Sequence, residues 1–188
     1  MASTRPALMF LAIAACNREP SLASRAAELG LWVPPEPGLT IVEEQRPTEQ
    51  LTIVSAKSAG RSARLYIWAL ADAGAAAEEL SAQQAMLRSV FEPRLPPYPE
   101  FLTRESACPE PFKPRERPHP LGRAALLYAG ERLGFGVCAD ELVRYRAEVV
   151  FLQCPGGRHA FRLEQFVAPD APWSDLTTFT DAIHCSRG

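Results

Sequence analysis

Catalytic and metal-binding patterns are missing from this sequence of 188 residues, and histidine occurs only three times. No HExxH, GxSxG, GxxxxGK[ST] or GxGxxG is present, and Gly134-Phe135-Gly136 begins the last of these without completing it. A structural zinc site would need cysteine pairs or paired histidines, but there is no CxxC and no His-x3-5-His. These absences predict no catalytic residues, no metal and no cofactor. An excess of one charge is also missing: 20 basic residues stand against 22 acidic ones, for a net charge of −2. That balance argues against a nucleic-acid partner.

What is present begins at the N-terminus. Residues 7–15 are an unbroken apolar run behind Arg5, the layout of a secretory signal, and nine residues are too few for a span that needs about 20. The stretch Ile13-Ala14-Ala15-Cys16 resembles the lipobox of bacterial lipoproteins, in which small side chains precede a lipid-modified cysteine. The resemblance implies a signal peptide over 1–15, lipidation of Cys16 and a membrane anchor made of acyl chains, each buried methylene contributing about 0.8 kcal/mol. Asn17 stands where an aspartate would favour inner-membrane retention in enteric bacteria. The expected address is thus the bacterial cell envelope, periplasm-facing, with the outer membrane favoured.

Four other cysteines remain: Cys108, Cys138, Cys154 and Cys185. An even count in an oxidising compartment reads as two disulfides, with three connectivities open. Geometry favours one of them. If 142–154 is a single strand, Cys138 and Cys154 lie roughly 35–40 Å apart at about 3.3 Å per residue, too far to bond. A returning strand followed by a helix then carries Cys185 back toward Cys154, which leaves Cys108 for Cys138.

Along the chain, residues 16–37 read as a tether with at most a turn or two of helix near Ser24, stopped by Pro34, Pro35 and Pro37. LTIVEEQ (39–45), QLTIVSAK (50–57) and ARLYIWAL (63–70) alternate as strands do. The third is apolar on both sides, Leu65 and Ile67 opposite Tyr66 and Trp68, and belongs in mid-sheet with both faces covered. After Asp72, a predicted N-cap, the period changes to about 3.6 and sets Ala76, Leu80, Leu87 and Phe91 on one stripe.

A Pro-rich loop is predicted over 92–123, since nine of the 18 prolines fall between 93 and 120. Within it KPRERPHP (113–120) reads as a solvated loop or, functionally, as an extended docking strip in which Lys113, Arg115, Arg117 and His119 contact a partner. Strands follow at 124–128, 133–138, 142–154 and 159–168. Arg144, Arg146 and Glu148 read as one wet face that Arg162 and Glu164 on the next strand could meet. A last helix starts with Ser174 as its cap and buries Leu176, Phe179 and Ile183.

This order of elements, carried by LTIVSAK, the helix after Asp72 and RYRAEVVFLQCPGGRHAFRLEQF with its closing helix, resembles the PsbP-like fold. The resemblance implies an α+β domain over 38–188, a mostly antiparallel β-sheet covered by helices as an α/β/α sandwich. Such domains serve mostly as binding or assembly modules, so the expected function is a non-catalytic binding module with a protein partner in the envelope. A carrier of small apolar ligands, or an envelope hydrolase without a recognisable motif, is the alternative.

Overall fold

The computed structural model describes residues 21–91, 113–130 and 143–186. The elements in order are α1 (Leu22–Ala27), β1 (Leu31–Trp32), β2 (Thr40–Gln45), β3 (Leu51–Lys57), β4 (Arg61–Ala69) and α2 (Ala73–Ser89). They are followed by β5 (Arg115–His119), β6 (Gly122–Ala129), β7 (Tyr145–Gln153), β8 (His159–Val167), α3 (Ser174–Asp181) and β9 (His184–Cys185). Seven strands form one sheet in the order β2-β3-β4-β8-β7-β6-β5, every neighbour antiparallel, while β1 pairs with β9 in a separate ribbon. The described residues are therefore α+β, with a mostly antiparallel sheet and three helices.

Strand alternation sorts the sheet into two covered faces. Leu65 and Ile67 of β4 join Val150, Leu152, Phe161 and Leu163 beneath Leu22 and Ala26 of α1 and Phe179 of α3. Trp68 points the other way, with Val149, Phe151 and Phe166, beneath Ala76, Leu80 and Leu87 of α2. Each large apolar side chain buried this way contributes about 1.5–3 kcal/mol. Both stripes expected from sequence are buried, and Asp72 caps α2 by accepting from the Ala75 N–H at 2.9 Å.

Three expectations are corrected. The segment assigned to a tether is packed from residue 21 onward: Ser21 caps α1, and Leu22, Ala26, Leu31 and Val33 are buried. The stretch 115–119, expected within a solvated loop over 92–123, is an edge strand, with Arg117 opposite Ala124 and His119 opposite Gly122. Proline is tolerated at Pro118 because an edge strand need not donate on its outer side. Ser174 is the first residue of α3, not its cap; Trp173 stands at the cap position and no side chain caps the helix.

Cys154 and Cys185 are joined in a disulfide, with 5.7 Å between their Cα atoms, the pairing that the strand-and-helix geometry favours. It fastens β9 to the end of β7, and the Ser186 N–H donates to the Gly30 carbonyl at 2.8 Å beside it. Cys16, Cys108 and Cys138 lie outside the described residues, as does the strand expected at 133–138.

The β5–β6 hairpin turns on Pro120 and Leu121 and brings Gly122 against β7. A Cβ at Gly122 would stand 2.1 Å from the Phe151 carbonyl oxygen, so the backbone must shift to admit one. Gly122→Ala is expected to destabilise by about 1–3 kcal/mol, the range for overpacking a tight contact. Urea unfolding followed by circular dichroism measures it, and an unchanged midpoint would refute the close approach.

Candidate functional site

The four residues predicted as a docking strip divide between two environments. Lys113 and Arg115 are exposed, but Arg117 and His119 turn inward beneath α3. His119 is 5 % exposed; its Nε2–H donates to the Thr180 carbonyl at 3.0 Å and its Nδ1 accepts from the Leu121 N–H at 3.1 Å. Both ring nitrogens are thereby occupied. Arg117 donates from Nε to Glu148 at 2.8 Å, from Nη1 to Asp181 at 2.6 Å and from Nη2 to Thr180 Oγ1 at 2.7 Å. The Thr180 hydroxyl in turn donates to Glu148 at 2.7 Å. This cluster clasps the end of α3 to the edge strand.

Of the wet face expected at Arg144, Arg146 and Glu148, Arg144 is exposed, but Arg146 is half-buried and Glu148 fully buried beneath α3. Arg162 and Glu164 do not meet it. Glu148 lies opposite Gln165, and Glu164 opposite Val149, so Glu164 and Arg162 point to the α2 face. There they pair with each other at 3.1 Å, with Arg162 stacked 3.9 Å above the Tyr66 ring and bonded to Gln83 of α2.

Burial pushes the Glu148 carboxyl above its ordinary range, against the opposing pull of the Thr180 hydroxyl and the Arg117 guanidinium. Burial likewise raises Glu164, opposed by Arg162, Arg64 and the Tyr66 hydroxyl. A carboxyl raised on folding stabilises most below its unfolded value and loses that contribution as pH rises through the folded value. Glu164→Gln is therefore expected to flatten the decline in stability as pH rises from 4.5, the ordinary value. Denaturation midpoints measured across that range test this; parallel curves for the two proteins would refute it.

Outside these clasps, one open groove runs between α2 and the β5–β6 edge. Its wider part, about 530 Å³, is lined by Leu80, Gln84, Arg88, Leu121, Arg123 and Gln153. It narrows to about 20 Å³ over an apolar floor of Leu87, Ala124, Ala125 and Phe151, with Pro114 and Glu116 at the margin. Arg88 binds Glu116 through Nε at 2.6 Å and Nη2 at 2.9 Å, and Arg123 lies 3.6 Å from the same carboxylate. Arg88 holds the Glu116 carboxyl below the usual range, chiefly by this hydrogen bond.

Sequence reasoning did not find the groove, since its walls come from α2 and from a segment read as irregular. Glu148, expected on a wet face, is buried; the signal that could have placed it is a lone carboxylate inside AEVVFL, which needs an internal partner.

Among the described residues no group of three or more His, Cys, Asp or Glu could hold a metal ion. No helix among them is long and apolar enough to cross a membrane. Of the remaining histidines, His159 lies near Phe161, and His184 stacks on Trp32 at 4.6 Å. Comparison of the chain with protein-family models, curated proteins and solved structures finds no match.

Proposed function

We propose that this chain is a bacterial lipoprotein anchored through Cys16 in the cell envelope, periplasm-facing and on the outer membrane, and that its PsbP-like α/β/α sandwich is a non-catalytic module that binds a protein partner. The observation that carries the binding role is the open groove beside the β5 edge, with Leu87, Ala125 and Phe151 below and Arg88, Glu116 and Arg123 around it. An apolar floor inside a charged rim suits a protein segment, which supplies both kinds of contact. The edge strand beside it offers backbone groups for further pairing. A carrier of apolar ligands would need several hundred Å³ of enclosed apolar space; the part over the apolar floor holds about 20 Å³, and the wider part of about 530 Å³ is open and lined by Gln84, Arg88, Arg123 and Gln153.

The anchor reading is supported by the cysteine behind a short apolar run. The external address is supported by the Cys154–Cys185 disulfide, since such bonds persist where thiols oxidise.

A photo-cross-linker placed at Gln84, in the groove wall, tests the binding role in intact envelopes. A discrete adduct is expected, absent when the cross-linker stands instead at exposed Val42. No adduct, or the same adducts from both positions, would overturn it. The anchor is tested separately by mass spectrometry of the N-terminal peptide, where an unacylated Cys16 would remove it.

A further inference from the structure

The α1/α3 face carries a second polar feature, which does not depend on the groove. Most arginines among the described residues meet a carboxylate; thus Arg61 binds Glu36, Arg88 and Arg123 reach Glu116, Arg117 binds Glu148 and Asp181, and Arg162 binds Glu164. Arg115 and Arg146 do not. Among the described residues no carboxylate lies within salt-bridge distance of either. Both converge instead on one indole: the Arg115 guanidinium carbon lies 4.8 Å from the Trp173 ring centroid and that of Arg146 lies 5.2 Å from it. Tyr128 packs edge-on against the same ring at 5.5 Å.

The chain builds this arrangement from four elements. Arg115 opens β5, Tyr128 comes from the end of β6, Arg146 from the start of β7, and Trp173 stands immediately before α3. Register places Tyr128 directly opposite Arg146. Stacking on an aromatic face fixes a guanidinium plane while leaving its in-plane N–H groups directed outward. Arg146 uses Nη1 on the Ala171 carbonyl, and its Nε is buried without a partner. Arg115 is exposed, and no side-chain hydrogen bond engages it among the described residues.

We propose that Arg115, Arg146 and Trp173 form a binding site for a phosphate group, carried either by a soluble phosphate compound or by a phospholipid headgroup. Guanidinium carbons 4.8 and 5.2 Å from one ring centroid are at most about 10 Å apart, so an anion at the edge of the indole lies near both charges. A phosphate presents oxygens in more than one plane and accepts from both cations at once, which a single carboxylate does less well. The N–H groups of Asp175, Leu176 and Thr177 at the start of α3 already donate to the Pro172 and Trp173 carbonyls, so the helix end adds little there. Asp175 in the first turn opposes an anion, so the two arginines supply most of the attraction.

The test follows the three tryptophan indole N–H resonances of the full chain by NMR. One arm titrates glycerol phosphate; the other adds phosphatidylcholine vesicles with or without phosphatidylglycerol. Saturable movement of the Trp173 signal with glycerol phosphate supports a soluble ligand, and a response confined to phosphatidylglycerol vesicles supports a headgroup. In either case Arg115→Gln should weaken binding about tenfold, the loss of a charge-assisted bond. Arg115 is exposed and makes no ion pair among the described residues, so this variant should keep its fold even if Arg146→Gln does not. No saturable response in either arm, or a response that Arg115→Gln leaves intact, overturns the proposal.

Discussion

Arg117→Ala is expected to cost about 3–5 kcal/mol of stability at neutral pH, the range for removing one member of a buried ion pair. The cause is what remains behind. Glu148 is fully buried, and without the guanidinium its carboxylate keeps only the Thr180 hydroxyl, while Asp181 close by is left unpaired. The sign with pH follows from the carboxyl's direction. Burial already raises it, and losing the cation raises it further, so Glu148 takes up a proton more readily in the folded variant. The deficit should therefore shrink as pH falls. Adding Glu148→Gln to Arg117→Ala should restore part of the loss at neutral pH, since a neutral amide needs no counter-charge. Urea unfolding of the three proteins at neutral and acidic pH reads all of this. A single variant within about 0.5 kcal/mol of the parent, the usual spread for surface changes, would show that the clasp carries no weight.

Replacing both members of the Cys154–Cys185 bond with alanine is expected to cost about 2–4 kcal/mol by freeing the unfolded chain, closed in the parent over a separation of 31 residues. For a domain of this size that lowers the melting temperature by roughly 5–15 °C. The double substitution is preferable to a reductant, because it changes this bond alone. The loss should begin locally. Leu31 pairs with Cys185 and Trp32 with His184, so the β1–β9 ribbon depends on the bond directly. Amide exchange at Trp32 and Ser186 should rise first. Equal melting temperatures for the two proteins would sink the expectation.

The two predictions concern regions that differ in how far sequence exposes them. Strands β3, β4 and β8 and the stripe of α2 follow from periodicity, because their burial depends on which of their own residues are apolar. β4 was legible as a mid-sheet strand for the same reason, having Leu65 and Ile67 against Tyr66 and Trp68. The edge strand β5 was not. Its sequence RERPH contains no apolar alternation, and its inward residues are satisfied by Glu148, Thr180 and Asp181, which lie far along the chain. Likewise the alternation of Arg146 and Glu148 fixes that they share a face but not that α3 covers it. Whether Glu148 meets Glu164 or Gln165 depends on the length of the β7–β8 turn, and a shift of one residue exchanges the faces. The groove was illegible because it lies between elements.

The place of β8 in the sheet has a consequence for how the protein is made. β8 lies between β4 and β7, and without it the remaining strands form two separate meanders, β2-β3-β4 and β7-β6-β5. The last long strand to arrive is thus the keystone, and its partner β4 was synthesised far earlier. Until it seats, β4 and β7, both rich in buried apolar side chains, stand as bare margins open to any strand they encounter. A polypeptide delivered N-terminus first must therefore be shielded until nearly its whole length has passed, and any product that stops short of His159 keeps two adhesive seams instead of one closed sheet.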